Sequence, residues 1–324
     1  MYIRKAELQD RKSIINIISQ CSKQLLEVGI EQWDSEYPSK GMISEDIAHG
    51  YVYVGIDEES ESLISTITMG SGDNDDFHSN IEWDLDTESY IFFNRLAVLP
   101  QFQGRGYASE FMDFAEIFAE KSGIRSLRLD ARTEYPRVLD MYKNRGYLIK
   151  GDVSYRNGTR HYTSMEKLVP ETKIEFIQPP YITPSKEYTQ FQQILAIRKE
   201  VFVIGQNVDP AIDQDGKDSY LELFLIMRGK EPAGCLRFRP LDKSTVKLER
   251  IAILSKFRGF GFGKKLVQAA VTEAGRRNYR NLTMYAQYYL LDYYGNLGFS
   301  AVGEPFYEAN IKHIKMNHSS RSVK

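Results

Sequence analysis

The chain lacks most of what marks a secreted, membrane-spanning or nucleic-acid-binding protein. Two cysteines in 324 residues, Cys21 and Cys235, cannot build a disulfide framework and suit a reducing compartment. No run approaches the ~20 apolar residues of a membrane helix, and Met1-Tyr2-Ile3-Arg4-Lys5 lacks the apolar core of a signal peptide. A cytoplasmic chain with no membrane partner is therefore expected. An excess of one charge is missing too: 42 Lys and Arg against 44 Asp and Glu leave a formal net charge of −2. A nucleic-acid-binding domain would usually be clearly basic, so no nucleic-acid partner is expected. The five histidines are scattered, and with two cysteines they offer no metal-ligand spacing, so no metal is expected.

What the sequence does contain is a duplication. Glu249 to Lys265 reads as an apolar strand, a short turn, a glycine-rich loop and the start of a helix. Asn94 to Ala108 repeats it at a constant offset of 155 positions, with identities at Arg95/Arg250, Ala97/Ala252, Leu99/Leu254, Phe102/Phe257, Gly104/Gly259 and Gly106/Gly261. Repetition over a whole-domain period argues for two tandem domains rather than a solenoid. Glycines at alternate positions let successive N–H groups point into one concavity, and a helix begins immediately after. Amides and helix dipole together favour an anion there, a phosphate above all. Two known phosphate loops do not fit. A P-loop needs Ser or Thr where Lys265 stands, and a dinucleotide fingerprint needs a third glycine where Lys264 stands.

At these residues the chain resembles the GNAT superfamily of acetyl-coenzyme A-dependent N-acetyltransferases. Its loop, Gln/Arg-x-x-Gly-x-Gly/Ala, is matched by Gln103-Gly104-Arg105-Gly106-Tyr107-Ala108 and by Arg258-Gly259-Phe260-Gly261-Phe262-Gly263. The resemblance implies that these loops, with Lys264, hold the coenzyme pyrophosphate. It also implies that the preceding strands bond the pantetheine arm through their backbone, at Leu96 and Val98 and at Ile251 and Ile253. Tyr142 and Gly146-Tyr147 match the superfamily's Tyr-x-x-x-Gly-Phe/Tyr, whose tyrosine lies near the coenzyme sulfur; Tyr135 replaces an asparagine often found seven residues earlier. The second half is similar to the ElaA-like branch through Arg198 to Val203, Asp215 to Asp218, Leu236-Arg237, Glu249-Arg250, Ala286-Gln287, Tyr294 to Phe299 and His313. It departs from that branch at Gly205 and Leu223.

Periodicity orders both halves alike: strand, helices, antiparallel strands, loop and helix, strand, helix, closing strand. The expected architecture is α+β, two tandem GNAT-type domains, each a mixed, mostly antiparallel sheet flanked by helices. The first spans 1–169, the second 173–318, and 319–324 forms a polar tail. Helices are expected over Ala6 to Leu26 and Phe191 to Phe202. Residues Ile30 to Pro38 are aromatic and acidic, and Trp33 and Tyr37 either line an acceptor pocket or cover core. Gly70 to Ser89 carries seven acidic residues, either as a solvated loop or as an attraction for a cationic amine.

Acetyl transfer to an amine needs an acid for the departing thiolate and a route for the amine proton. Tyr294 and Tyr142 are the candidate acids, since a phenol of pKa ~10 stays protonated at neutral pH. Glu249 is the candidate base of the second half, unless it is tied up in an ion pair with Arg250 or Lys247. Asn94 stands at its place in the first half and cannot be a base, so the carboxy-terminal domain is expected to be the stronger catalyst. His313 matches a position near the acceptor pocket of the ElaA-like branch. The expected activity is N-acetylation, by direct attack in a ternary complex, of a primary amine on a small molecule or peptide, with acetyl-CoA as co-substrate. The alternatives are an inactive acyl-CoA-binding regulatory protein and a peptidoglycan aminoacyl transferase. The second needs a basic groove for tRNA and generally lacks intact coenzyme loops.

Overall fold

A computed structural model describes residues 1–34, 36–70, 78–85, 89–156, 158–179, 181 and 185–319. Most of the acidic stretch between Gly70 and Ser89 lies outside the described residues, as do Pro180, Pro184 and nearly all of the tail. The chain divides into two compact units, Met1–Pro170 and Glu171–Lys324.

In the first unit the elements are β1 (Tyr2–Lys5), α1 (Arg11–Glu27), α2 (Lys40–Ala48), β2 (Val52–Ile56), β3 (Leu63–Gly70), β4 (Tyr90–Val98), α3 (Tyr107–Ser122), β5 (Ser126–Arg132), α4 (Pro136–Asn144), β6 (Leu148–Tyr155) and β7 (Arg160–Leu168). Its seven-stranded sheet runs β1-β2-β3-β4-β5-β7-β6. Parallel pairing occurs at β4 and β5, the pair joined through α3, because a parallel step needs a crossover long enough to hold a helix. Its strands β2 and β3 are buried on both faces. Because strand residues alternate, Val52 and Val54 pack with Ile14, Ile17 and Ile18 of α1, whereas Tyr53 packs with Phe111, Met112 and Ala115 of α3.

The second unit repeats the plan with β8 (Thr172–Ile177), α5 (Lys186–Arg198), α6 (Pro210–Asp213), β9 (Glu222–Arg228), β10 (Glu231–Pro240), β11 (Thr245–Ile253), α7 (Phe262–Arg276), β12 (Asn281–Gln287), α8 (Leu291–Gly295), β13 (Ser300–Glu308) and β14 (Ile311–Ser319). Its strand order is β8-β9-β10-β11-β12-β14-β13, with β11 and β12 the parallel pair. The α+β architecture of two such domains is therefore the one expected.

Two helices differ from expectation at their ends. The first α-helix begins at Arg11, not Ala6, after a 3-10 turn over Leu8–Asp10. There Asp10 accepts from the Glu7 amide and pairs with Arg4, which fixes the entry angle. The expected helix through Phe202 is α-helical only to Arg198 and widens to π-turns over Lys199–Ile204. The change falls where the Arg198 side chain is tied to Asp213 and Asp218.

Candidate functional site

Each unit has a bulge in the strand before its glycine loop. On β4, Thr66 pairs with Ala97 but Thr68 with Asn94, so β4 carries one extra residue. On β11, Cys235 pairs with Ala252 but Arg237 with Glu249, the same insertion. The bulged residues, Arg95 and Arg250, both have φ of 53°, a left-handed conformation that a residue with a Cβ adopts only at a cost. Side-chain contacts hold them there. Arg95 pairs with Asp46 and reaches Thr68 and Tyr37. Arg250 donates to the Ile212 carbonyl and pairs with Asp213. The arginine identity in the repeat therefore has a structural origin that the letters alone did not show.

Beyond the bulge the parallel strands part. Pairing of β4 with β5 runs from Tyr90/Ser126 only to Phe93/Leu129, and that of β11 with β12 from Thr245/Asn281 only to Leu248/Met284. The Leu99 amide bonds Ile64 on β3, and the Leu254 amide bonds Ala233 on β10. By strand alternation the peptide groups of Leu96 and Val98, and of Ile251 and Ile253, then face the open gap. The Val98 carbonyl already accepts from Gln103 at 2.9 Å and from the Cys21 thiol at 3.1 Å. In the second unit Arg258 reaches the Ile253 carbonyl at 3.4 Å. The first residue of each loop signature thus fastens the loop to the end of its strand.

The loops have the form expected of an anion cradle. Gly104, Gly106, Gly259 and Gly261 have φ of 75°, 90°, 85° and 79°. A Cβ on Gly104, Gly106 or Gly259 would meet nothing within 4 Å, so glycine is required there by backbone conformation and not by crowding. Ser39 and Ser185 cap α2 and α5, whereas α3 and α7 start from Gly106 and Gly261 with no side-chain cap. Their first amides, at Tyr107, Ala108, Phe262, Gly263 and Lys264, suit an external anion. Arg105 rests 5.2 Å from the centre of the Phe102 ring, beside the first loop. Arg258 and Phe260 flank the second. At Gly263 crowding does matter: a Cβ there would come within 2.7 Å of the Tyr293 hydroxyl.

A cavity of about 970 Å³ opens in the first unit. Trp33 and Tyr37 both line it, and Trp33 is also buried in core. Asp34 caps the Glu36 and Tyr37 amides and pairs with Arg156 and Arg160, which locks this wall to the β6–β7 hairpin. Asn94, Leu96, Tyr135 and Tyr142 also line the cavity. Tyr142 is buried edge-on against Tyr147 at 5.6 Å. Burial pushes its phenol up to about 12, against a smaller opposing pull from Arg145.

The same cavity contains a group that sequence reasoning missed. Asp130, just past the last β4–β5 pair, accepts from the Tyr155 hydroxyl at 2.6 Å and Ser164 at 2.7 Å, and lies 2.9 Å from His78 Nε2. His78, Asp130 and Tyr155 all line the cavity. They are 25 to 77 residues apart in sequence, and no local spacing announces them. A signal did exist in the lone histidine of the acidic stretch.

In the second unit Glu249 is part of a buried ion cluster. Its carboxylate meets Arg237 at 2.8 Å, Arg239 at 3.1 Å and Lys247 at 3.1 Å. The expected alternative partner Arg250 turns instead to Asp213 and Asp215, because the left-handed bulge carries its side chain away from Glu249. Burial alone would raise the Glu249 pKa, but Arg237 and Lys247 outweigh it and hold the group below the usual range. A carboxylate so held is a weak base. Arg237 also binds Asp215 and Asp218, and Arg198 binds Asp213 and Asp218. Arg198, Asp215, Asp218, Arg237 and Glu249 are among the residues that carry the ElaA-like resemblance, and with Asp213 they tie α5, β10, β11 and the turn between Asp213 and Ser219 together.

The cluster sets an acid limit. The Asp215 pKa is lowered because its bonds to Arg237 and Lys217 overcome burial, and Glu249 is lowered likewise. A depressed folded pKa gives stability that is present above the unfolded pKa, ~3.9 for Asp and ~4.3 for Glu, and lost as pH falls through the folded value. Urea melts followed through the second unit should keep their midpoint from pH 7 to 5 and lose it progressively below about pH 4. In Glu249→Gln that acid slope should be shallower.

Tyr294 is buried edge-on between Tyr293 at 5.1 Å and Phe299 at 6.3 Å, as Tyr142 is beside Tyr147. Burial, with help from Tyr293 and Tyr289, raises its pKa. His313 sits on β14 opposite Gln287, its Nδ1 2.7 Å from the Ile311 carbonyl and its ring stacked on Phe306. Cys21 and Cys235 are buried, and burial pushes their thiols up to about 11 and about 12. Neither should react with a disulfide reagent in the native protein, and two equivalents should appear on denaturation. Among the described residues no group of three metal-ligating side chains occurs, and no helix is long and apolar enough to cross a membrane.

Comparison with known proteins agrees with this geometry. Residues 16–147 match the Acetyltransferase (GNAT) family, and residues 185–320 match the Acetyltransferase (GNAT) domain. The uncharacterized protein YyaT of Bacillus subtilis is 32% identical over 138 residues, covering 40% of this chain and 90% of the relative. The uncharacterized N-acetyltransferase YjcF of the same organism is 29% identical over 133 residues, 41% of this chain and 94% of the relative. Its S-alkylcysteine N-acetyltransferase is 26% identical over 149 residues, 44% of this chain and 76% of the relative. Among solved structures, Escherichia coli ElaA is 24% identical, with 46% of this chain and 99% of that one covered and a TM-score of 0.40. A repeated bulge, parted strands and an uncapped helix start, with matches over both halves, lead to one assignment: the chain belongs to the GNAT acetyltransferase family, whose members use acetyl-CoA as co-substrate, and carries two of its domains in tandem.

Proposed function

We propose that this protein transfers the acetyl group of acetyl-CoA to a primary amine by direct attack in a ternary complex, and that the first unit holds the principal acceptor site. The observation that supports this best is the recurrence, in both units, of an uncapped helix start beside the gap between parted parallel strands. Pyrophosphate held on the amides of Tyr107 and Ala108, or of Phe262 to Lys264, would direct the pantetheine arm along Leu96 and Val98 or Ile251 and Ile253. Arg105, or Arg258 with Lys264, adds charge at the mouth of each loop.

In the first unit the amine nitrogen attacks the thioester carbonyl, forming the C–N bond as the C–S bond breaks. The proton leaving nitrogen goes to His78, whose ring is oriented by Asp130 at 2.9 Å. Negative charge developing on sulfur is met by the Tyr142 hydroxyl, kept protonated by burial. The carboxylate expected to favour the second unit is held by three cations, so Glu249 acts there as a structural anion. Tyr294 and His313 remain that unit's candidates for sulfur and acceptor contacts.

Titration calorimetry of the full chain with coenzyme A, followed by thiol release over a panel of amines, tests this reading. Expected are saturable coenzyme binding and thiol release that depends on the amine. Absence of coenzyme binding would reject the assignment; binding without amine-dependent release would leave a coenzyme-binding protein that is not an acetyltransferase.

A further inference from the structure

The cavity of the first unit is lined by four arginines, and three of them are satisfied within the protein. Arg95 pairs with Asp46, Arg156 with Glu36 and Asp34, and Arg160 with Glu31 and Asp34. Arg132, at the end of β5, is different. It is only 8% exposed, and its guanidinium packs 5.3 Å from the centre of the Tyr162 ring, which itself lines the cavity. Its Nε lies 3.1 Å from a carboxylate oxygen of Glu134, but the N–H is not aligned on it. Among the described residues neither Nε nor Nη1 has a hydrogen-bond acceptor.

A guanidinium is charged at every pH at which the protein is folded, and buried donors in native proteins are nearly always paired. Glu134 is 46% exposed in its side chain, so water weakens what it offers. Nor does the neighbouring acid help, since Asp130 is taken up by His78, Tyr155 and Ser164. Arg132 therefore brings a positive charge balanced only by half-exposed Glu134, and open donors at Nε and Nη1, to a cavity whose opposite requirement, handling of an amine proton, is met by the His78–Asp130 pair. A ligand with an anion at one end and an amine at the other satisfies both.

We infer that the acceptor is an amino acid or short peptide with a free carboxylate, which Arg132 receives while the amine is presented to the thioester. This rests on the reading of the cavity as the acceptor site. Arg132 would then be a specificity residue whose loss affects acceptors that carry a carboxylate and spares those that do not. Walls from Trp33, Tyr37, Phe92 and Tyr162 leave room for an apolar or aromatic side chain between the two ends.

Matched pairs provide the test: L-phenylalanine against phenethylamine and L-lysine against cadaverine, assayed by thiol release at saturating acetyl-CoA with the full chain, Arg132→Gln and Arg132→Lys. The wild type should prefer the carboxylated member of each pair by about tenfold or more in kcat/KM. Arg132→Gln should raise KM for the carboxylated amines by roughly 10- to 100-fold, while KM for the decarboxylated amines and coenzyme affinity stay within about twofold. Arg132→Lys should be intermediate. Equal use of both members of each pair by the wild type, or an equal loss on both in Arg132→Gln, would overturn the inference. Calorimetry with N-acetyl-L-phenylalanine and N-acetylphenethylamine reads the same preference without turnover. If neither compound binds, or both bind equally, the inference fails even when coenzyme binds. If coenzyme fails to bind while the carboxylate preference persists, it is the acetyltransferase reading that falls.

Discussion

Replacing Tyr142 by phenylalanine should lower kcat for amine-dependent thiol release by about 10²–10⁴-fold, the range typical of removing a positioned proton donor, with coenzyme affinity unchanged. Phenylalanine keeps the ring that packs on Tyr147 and removes one oxygen, so stability should move little. The specific loss arises because sulfur takes on negative charge in a buried setting, where a single donor is worth more than in water. Burial that raises the phenol to about 12 would, on the proposed mechanism, also disfavour a bare thiolate beside it. Tyr294→Phe should cost less on the same substrates, since among the described residues no histidine–aspartate pair stands at the parted strands of the second unit. Stopped-flow and steady-state thiol release on the two variants, side by side, decide the matter. Equal losses would show that both units turn over the same amine and would reject the asymmetry.

Arg237→Ala should destabilise the second unit by about 3–5 kcal/mol, the usual cost of removing one partner from a buried ion cluster. Arg237 is 1% exposed and binds three carboxylates, Asp215, Asp218 and Glu249. Arg239 and Lys247 still meet Glu249, and Arg198 still meets Asp218, but no other cation bridges all three carboxylates, so its loss leaves them short of counter-charge. Arg198 is fully buried on the far side of Asp218 and is already committed to it. Urea melts of the full chain, with hydrogen exchange read at the β9–β11 amides, locate the effect. Arg276→Ala is the control: its pair with Glu273 is made by a side chain 68% exposed, and its loss should stay within about 0.5 kcal/mol. A double-mutant cycle with Glu249→Gln should return part of the Arg237 penalty, because the stranded charge is then gone. A loss of under 1 kcal/mol in Arg237→Ala would mean that the cluster is hydrated and carries no such strain.

Much of the frame could be read from the letters. Alternating apolar residues marked the strands, helical spacing marked α1, α3 and α7, and the glycine loops marked the turn between strand and helix. The repeat then duplicated the whole order. Local chemistry decides each of these, since left-handed φ at Gly104, Gly106, Gly259 and Gly261 and an uncapped helix start follow from a few adjacent residues. Tyr142 and Tyr294 were placed by the same short-range pattern. The ends of α1 and α5 were misjudged because side-chain ties, Arg4 on β1 to Asp10 in one case and Arg198 to Asp213 and Asp218 in the other, overrode helical periodicity.

What the sequence determined alone was therefore the two-domain count, the class of each sheet, and the two glycine loops that open uncapped helices. Tertiary structure decided which charges are spent and which are open. Glu249 looked like a base until three cations closed on it, Arg95 and Arg250 became bulge residues, and His78 found Asp130 across 52 positions. Among the described residues, Arg132 kept two donors, Nε and Nη1, without acceptors in a cavity whose other arginines are satisfied. The reason is one of range. A turn or a helix start is set by neighbours in the chain, but the free energy of a buried charge depends on the partners that sheet register and strand parting bring to it, and those partners are remote in sequence.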